Sequence, residues 1–310
     1  MINMNIMVIL NQMIILLLLM LLGAILYRVN IMNEDFNKRL TKILLNVTMP
    51  ALILDSVLKQ TGARDFSAVA LVFVIAIVTY LLLPAISFLF VWVCKIPMED
   101  KGLYVFMTVY SNVGFMGFPV LQALFGSTAV FYAAIFNVVF NLSIYTHGII
   151  IIHYGRPEKA PLNLKSLISP GFLGSVVAIV LYFTDLKVPF AISKTLDSVG
   201  ALTVPLAMMI IGATLATMNV KEIFDDWKLY PYALFRQIMI PISCFFILKV
   251  CIHDTFILNI SAILLMMPIA NTAVLYANEY GGNEKTAAKA VFFTTILSVF
   301  TIPTLIYIFL

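Results

Sequence analysis

The sequence predicts an all-α membrane protein of ten transmembrane helices, built as two inverted sets of five. Three observations carry this. Hydrophobic residues make up 62% of the 310 residues and charged residues only 11%, against roughly a quarter charged in a soluble domain. Apolar stretches of about 20 residues, the length a helix needs to cross the hydrocarbon core, recur along the whole chain. Short matches between the two halves supply the third. A transmembrane barrel would instead show weak alternation in segments of about ten residues.

The spans fall at 5–27, 38–58, 67–94, 102–125, 128–152, 164–184, 194–217, 230–252, 256–278 and 287–309. The first, around Met7 to Leu26, has no charged segment before it and no small-residue cleavage site after it. It reads as a retained span rather than a signal peptide. The connections are short, and Gly126-Ser127 is little more than a turn. Most Lys and Arg residues lie after spans 1, 3, 5, 7 and 9. Cytoplasmic loops are the Lys/Arg-rich ones, so a multi-pass cell-membrane protein with both termini outside is expected. The net charge of +4 then sets orientation; no basic-aromatic pattern marks a nucleic-acid partner. Cys94, Cys244 and Cys251 form no CxxC, hence neither a disulfide framework nor a metal site. They read as small apolar packing residues.

The halves match in order and at nearly one spacing. Gly23-Ala-Ile-Leu-Tyr27 parallels Ala178-Ile-Val-Leu-Tyr182, and Thr48-Met-Pro50 parallels Thr203-Val-Pro205. Asn112 parallels Asn271, and Thr128-Ala129 parallels Thr286-Ala287. The chain therefore divides into repeats at 1–155 and 156–310. A repeat of five spans is odd, so the second copy enters the membrane from the opposite side. Inverted repeats recur in secondary transporters, whose sites lie where paired helices are interrupted.

Span 4 holds Gly114, Gly117 and Pro119 within six residues, and span 9 holds Pro268. Proline removes a donor and collides with the preceding turn, while glycine lets the backbone unwind. Spans 4 and 9 are expected to break and cross around these residues. Asn112 and Asn271 would then offer amides to a substrate, with Ser111 and Thr272 beside them. Asn137 and Asn141 share one face of span 5 and could flank the crossover, as could Thr295. Asn46, Pro50, Pro205 and Gly212 more readily shape helix packing. No Asp or Glu lies at the centre of a span; Asp55 reads as a solvated interfacial carboxylate, Arg236 as a snorkelling residue near a span end, and His147 as a satisfied packing residue. Amides and unwound helix N-termini suit an anion. No metal or cofactor site is indicated, and no enzyme motif or P-loop is present.

Asn112-Val-Gly-Phe-Met-Gly-Phe-Pro-Val120, followed by Leu124-Phe-Gly126, resembles the span-4 motif of the auxin efflux carrier family. Asn46 to Leu52, Pro205 with Ile211-Gly-Ala-Thr-Leu215, and Asn271 through Tyr280-Gly281 are similar to further segments of that family. The resemblance covers essentially the whole chain. It implies broken, crossing helices 4 and 9 and a scaffold of spans 1, 2, 6 and 7. Spans 3–5 and 8–10 would form a transport domain, in a homodimer of bile-acid-symporter and sodium/proton-antiporter-like architecture. It further implies elevator-like alternating access. Bacterial members are described as permeases for malate and other small organic acids, and plant members export indole-3-acetate. The plant motif carries Asn-Pro where this chain has Asn112-Val113, a departure that points away from auxin itself.

The expected function is thus secondary transport of a small organic anion such as a carboxylate, with sodium or a proton as a coupling ion. A cation-coupled antiporter of inorganic ions would need a central intramembrane carboxylate. A transporter-fold receptor would bind ligand without flux, since fold does not fix function. An intramembrane enzyme lacks any paired catalytic set.

Overall fold

The computed structural model describes residues 6–60, 65–155, 169–184, 188–217, 229–280 and 282–309. Among these, regular structure is helical apart from one isolated β-bridge. The helices are α1 (Ile6–Arg28), α2 (Glu34–Leu58), α3 (Phe66–Val93), α4 (Met98–Val109), α5 (Val113–Phe125) and α6 (Ser127–Ile152). They continue with α7 (Pro170–Thr184), α8 (Phe190–Thr217), α9 (Leu229–Cys251), α10 (Thr255–Met266), α11 (Thr272–Glu279) and α12 (Glu284–Phe309). Seven of them (α1, α2, α3, α6, α8, α9 and α12) are long and apolar enough to cross a membrane. Expected spans 4 and 9 are each divided, into α4 with α5 and α10 with α11. At 12 residues, α4 reaches about 18 Å, well short of the roughly 30 Å hydrocarbon core.

Local chemistry starts the helices. The side chains of Asn33, Asp65 and Asp254 accept from Phe36 N–H (2.8 Å), Ala68 N–H (2.9 Å) and Phe256 N–H (2.8 Å) at the heads of α2, α3 and α10. Each satisfies a donor that has no partner within its helix. Gly126 turns the chain between α5 and α6 at φ 73°, a left-handed value that glycine adopts without strain.

Three prolines inside the helices are accommodated by a wider turn. The π-helical turns Leu44–Thr48, Val113–Gly117 and Phe235–Met239 each end two residues before a proline: Pro50, Pro119 and Pro241. The N–H groups of Met49, Phe118 and Ile240 reach back five residues, to the carbonyls of Leu44, Val113 and Phe235. Proline cannot donate to the carbonyl four residues back, and its ring collides with that carbonyl. Widening the preceding turn relieves the collision without ending the helix. Such turns often mark functional positions.

Helix α1 lies along α8, α2 packs against α7 and α8, and α6 packs against both α2 and α7. The α1–α8 contact is reciprocal: a Cβ on Gly23 would run into the Met209 carbonyl, and one on Gly212 into the Met20 carbonyl. Small residues let the two backbones approach, as in membrane bundles generally. Elsewhere α3 meets α4 and α6, α9 meets α10 and α12, and α11 meets α12. The run Ala129 to Phe140 of α6 is buried on every side, as an all-apolar helix requires. The outer face of α1 exposes Ile14, Leu18, Leu21 and Ile25.

Asp55 is not the solvated carboxylate expected. It is only 3% exposed, and Lys59 Nζ bridges it (2.7 Å) to Asp197 of α8 (2.6 Å). Burial works against the Lys59 ammonium, but hydrogen bonds to Asp197 and Asp55 hold its pKa above the usual lysine value. A second lysine, Lys194, meets the other Asp197 oxygen at 2.6 Å. The network pins the end of α2 to α8.

The glycine contact generates a prediction. Gly212→Val should force α1 from α8 and cost about 1–3 kcal/mol by overpacking. A lower thermal midpoint of the purified protein is the expected readout, and an unchanged midpoint would show that the two backbones are not in contact.

Candidate functional site: the crossed helix interruptions

The helix preceding Asn112 stops at Val109, and the helix preceding Asn271 stops at Met266. The segments that follow run antiparallel and pair at one bridge, Ser111 with Ile269. Asn112 N–H donates to the Pro268 carbonyl (2.8 Å), and Ala270 N–H donates to the Tyr110 carbonyl (3.0 Å). Each interruption thus satisfies backbone groups of the other, which a helix broken away from water must arrange. Thr294 of α12 accepts from Ile269 N–H at 3.4 Å.

Three carbonyls at the end of α10 are taken by α9. Arg236 Nη1 donates to Leu265 O (3.3 Å), and its Nη2 donates to Met267 O (3.1 Å) and to Ser111 Oγ (2.7 Å). Gln237 Nε2 donates to Met266 O at 3.1 Å. Both residues lie in the π-helical turn that Pro241 imposes. Arg236 is 1% exposed, so it does not snorkel: its guanidinium is the cap that lets α10 end inside the protein. A basic residue in an apolar run five positions before a proline was the only sequence signal, and it did not reveal that helix end.

Asn112 caps α5, its Oδ1 accepting from Phe115 N–H at 3.1 Å. Asn271 stands at the head of α11 without a side-chain cap bond. Neither the Asn112 Nδ2 nor the Asn271 amide has a hydrogen-bond partner among the described residues. Both asparagines line one cavity of about 20 Å³ with Thr295, Val291 and Phe292 of α12 and Ile211, Thr214 and Leu215 of α8. That is room for about one water molecule, well below the several hundred Å³ of a typical ligand pocket.

The other expected residues separate into groups. Ser111 and Pro268 belong to the bridge. Thr272 opens α11, its Oγ1 buried without a partner among the described residues. Gly114, Gly117 and Pro119 lie inside the helix beyond the interruption, which falls at Tyr110 to Asn112 where there is neither glycine nor proline. Gly114 faces Met49 (3.3 Å), and Gly117 faces Leu264 of α10 at 2.9 Å from where a Cβ would stand. Asn137 and Asn141 are not in the cavity. Asn137 donates to Ser175 Oγ of α7 (3.4 Å), and Asn141 to the Asn137 carbonyl (2.7 Å). Asn46 is exposed, Pro50 packs against Gly174, and Gly212 against α1. Pro205 sits half-buried in the second part of α8. Behind the bridge, Tyr110 OH meets Ser143 Oγ (3.0 Å), while the ring nitrogens of His147 lie 2.9 Å from the Ser143 and Tyr80 carbonyls.

Apolar helices that span, with two interruptions satisfying each other around facing amides, define a multi-pass membrane protein with an internal polar site. The model of the family described as membrane transport protein matches residues 8–306, so the chain belongs to that family of transporters, the auxin efflux carriers that the span-4 motif resembles. It is similar to an uncharacterized transporter of Methanothermobacter thermautotrophicus, 25% identical over 93% of this chain and 94% of the other. It is 23% identical to the uncharacterized transporter YfdV of Escherichia coli K12, over 94% of each. A Rhizobium meliloti protein named "Putative malonate transporter" is 20% identical over 87% of this chain and 86% of its own length.

Asn112 has two separable jobs, cap and free amide. Asn112→Ala should lower stability by about 1 kcal/mol through loss of the cap, whereas Asn112→Ser should retain most of it. Thermal midpoints of the two variants check this; equal losses would mean that the cap is not what the side chain supplies.

Proposed function

We propose that this protein is a secondary active carrier of a small organic anion, working by elevator-like alternating access. The observation that carries the reading is that Asn112 and Asn271, matched between the two halves of the chain, meet in one cavity at the heads of α5 and α11. Helix N-termini favour negative charge, and two unpartnered amides supply donors for a carboxylate. The relative named for malonate supports a short-chain acid as the first substrate to try.

On this reading the chain crosses the cell membrane ten times as an inverted repeat, 1–155 and 156–310, with both termini outside. Helices α1, α2, α7 and α8 form the scaffold and the dimer contact. The remaining helices carry the site. Because the cavity holds only about one water, the crossover must part from Ile211, Thr214 and Leu215 of α8 before an organic acid enters. Sodium or a proton supplies the coupling.

Uptake of labelled malonate and of an aromatic acid into proteoliposomes, with and without sodium or pH gradients, tests the reading. Saturable flux in the wild type, lost in Asn271→Ala and in Asn112→Ser with folded protein retained, is the expected result. Undiminished flux in both variants would sink the site assignment. Ligand binding with no flux under any gradient would make the protein a receptor.

A further inference from the structure

Resting on the anion-carrier reading, a second question is what makes the site choose negative charge. Four helix ends meet at the crossover. The C-terminal ends of α4 and α10 contribute about half a negative charge each, and the N-terminal ends of α5 and α11 about half a positive charge each. These cancel. Arg236 adds a full positive charge to the same place, through Ser111 and the end of α10.

Among the described residues that charge has no anionic partner. The ion pairs among the described residues join Asp55 and Asp197 to Lys59 and Lys194, and none involves Arg236. The titratable groups near enough to act on it electrostatically are the hydroxyls of Tyr232 and Tyr80 and the thiol of Cys244, which ordinarily carry no charge near neutrality. Its Nε is buried with no acceptor among the described residues. Capping alone does not call for such a residue. Gln237, the next residue, caps the adjacent carbonyl of Met266 with a neutral amide. The hydrogen bonds of Arg236 at the negative end of α10 offset part of the cost of burying that charge; a charge with no counterion remains costly to hold, and an arriving negative charge relieves the rest.

We propose that Arg236 is the specificity-determining residue of the crossover: its unbalanced charge restricts the space between Asn112 and Asn271 to anions, while the amides orient them. Arg236 does not line that cavity. It acts through the field, which weakens only slowly with distance where water is excluded. Ser111, bonded to the guanidinium and next to Asn112 in the chain, marks where charge and amide come together.

The test compares malonate with malonamide, its uncharged analogue, by calorimetric titration of the purified full chain in lipid nanodiscs. Wild type should prefer malonate by at least about tenfold. Arg236→Lys keeps the charge and should keep the preference; Arg236→Gln keeps a donor but should lose it. Ser111→Asp sets a carboxylate against the guanidinium and should also abolish the preference with Arg236 in place. It decides the matter if Arg236→Gln does not fold. Retention of the wild-type preference in folded Arg236→Gln or in Ser111→Asp overturns the proposal, as does its loss in folded Arg236→Lys. Equal binding of acid and amide by the wild type overturns the charge role and leaves the carrier reading standing. Binding of neither, nor of any other carboxylate, removes the carrier reading and this inference with it.

Discussion

A peptide group shut away from water must find a partner inside the protein, and the crossover at the centre of this chain follows from how two interrupted helices meet that demand. Breaking a helix leaves unpaired carbonyls on one side and unpaired N–H groups on the other. Around Ser111 and Ile269 the two breaks lie antiparallel and exchange two backbone hydrogen bonds. The carbonyls of Leu265 and Met266 at the end of α10, and of Met267 just beyond it, go to Arg236 and Gln237, and an N–H at the head of α5 goes to Asn112. Polar side chains appear where the backbone accounting requires them, and the amides of Asn112 and Asn271 are left over at the cavity.

The two faces of α8 are built for different purposes. Toward α1, Gly23 and Gly212 bring backbone against backbone with no side chain between, and at its other end the Asp55–Lys59–Asp197 network ties it to α2. Toward the crossover it presents Ile211, Thr214 and Leu215, ordinary side chains in ordinary contact. A contact without interposed side chains cannot slide without collision, whereas one made of flexible side chains can part and re-form. The face against the crossover is therefore the one suited to movement.

Much of this was legible in the sequence because lipid imposes a simple length and polarity rule. The seven long apolar helices follow from it; the matching of Asn112 with Asn271 comes from the likeness of the two halves, and the division of spans 4 and 9 from their glycines and prolines. What escaped local reading depended on distant partners. Pro119 reads as a helix breaker, yet a wider turn at Val113–Gly117 accommodates it, and the break falls at Tyr110 to Asn112 because Pro268 and Ala270 are there to pair with. Arg236 reads as a snorkelling surface residue because the carbonyls that hold it exist only once α10 stops. Asp55 pairs with Lys59 one turn away, a spacing visible in the chain, but its burial depends on Asp197 from α8. Asn137 and Asn141 share a helix face as expected; that face is turned to Ser175 of α7.

The bridge also imposes an order on biogenesis. Tyr110 and Asn112 emerge from the ribosome well before Pro268 and Ala270, and at about 5–20 residues per second the interval is on the order of ten seconds. Throughout that time the first interruption has no strand to pair with, and the end of α4 cannot be left bare in hydrocarbon. The nascent first half must wait where water or a protein surface can supply the missing bonds. Pairing of the interruption between α4 and α5 is thereby deferred until Pro268 and Ala270 have been made.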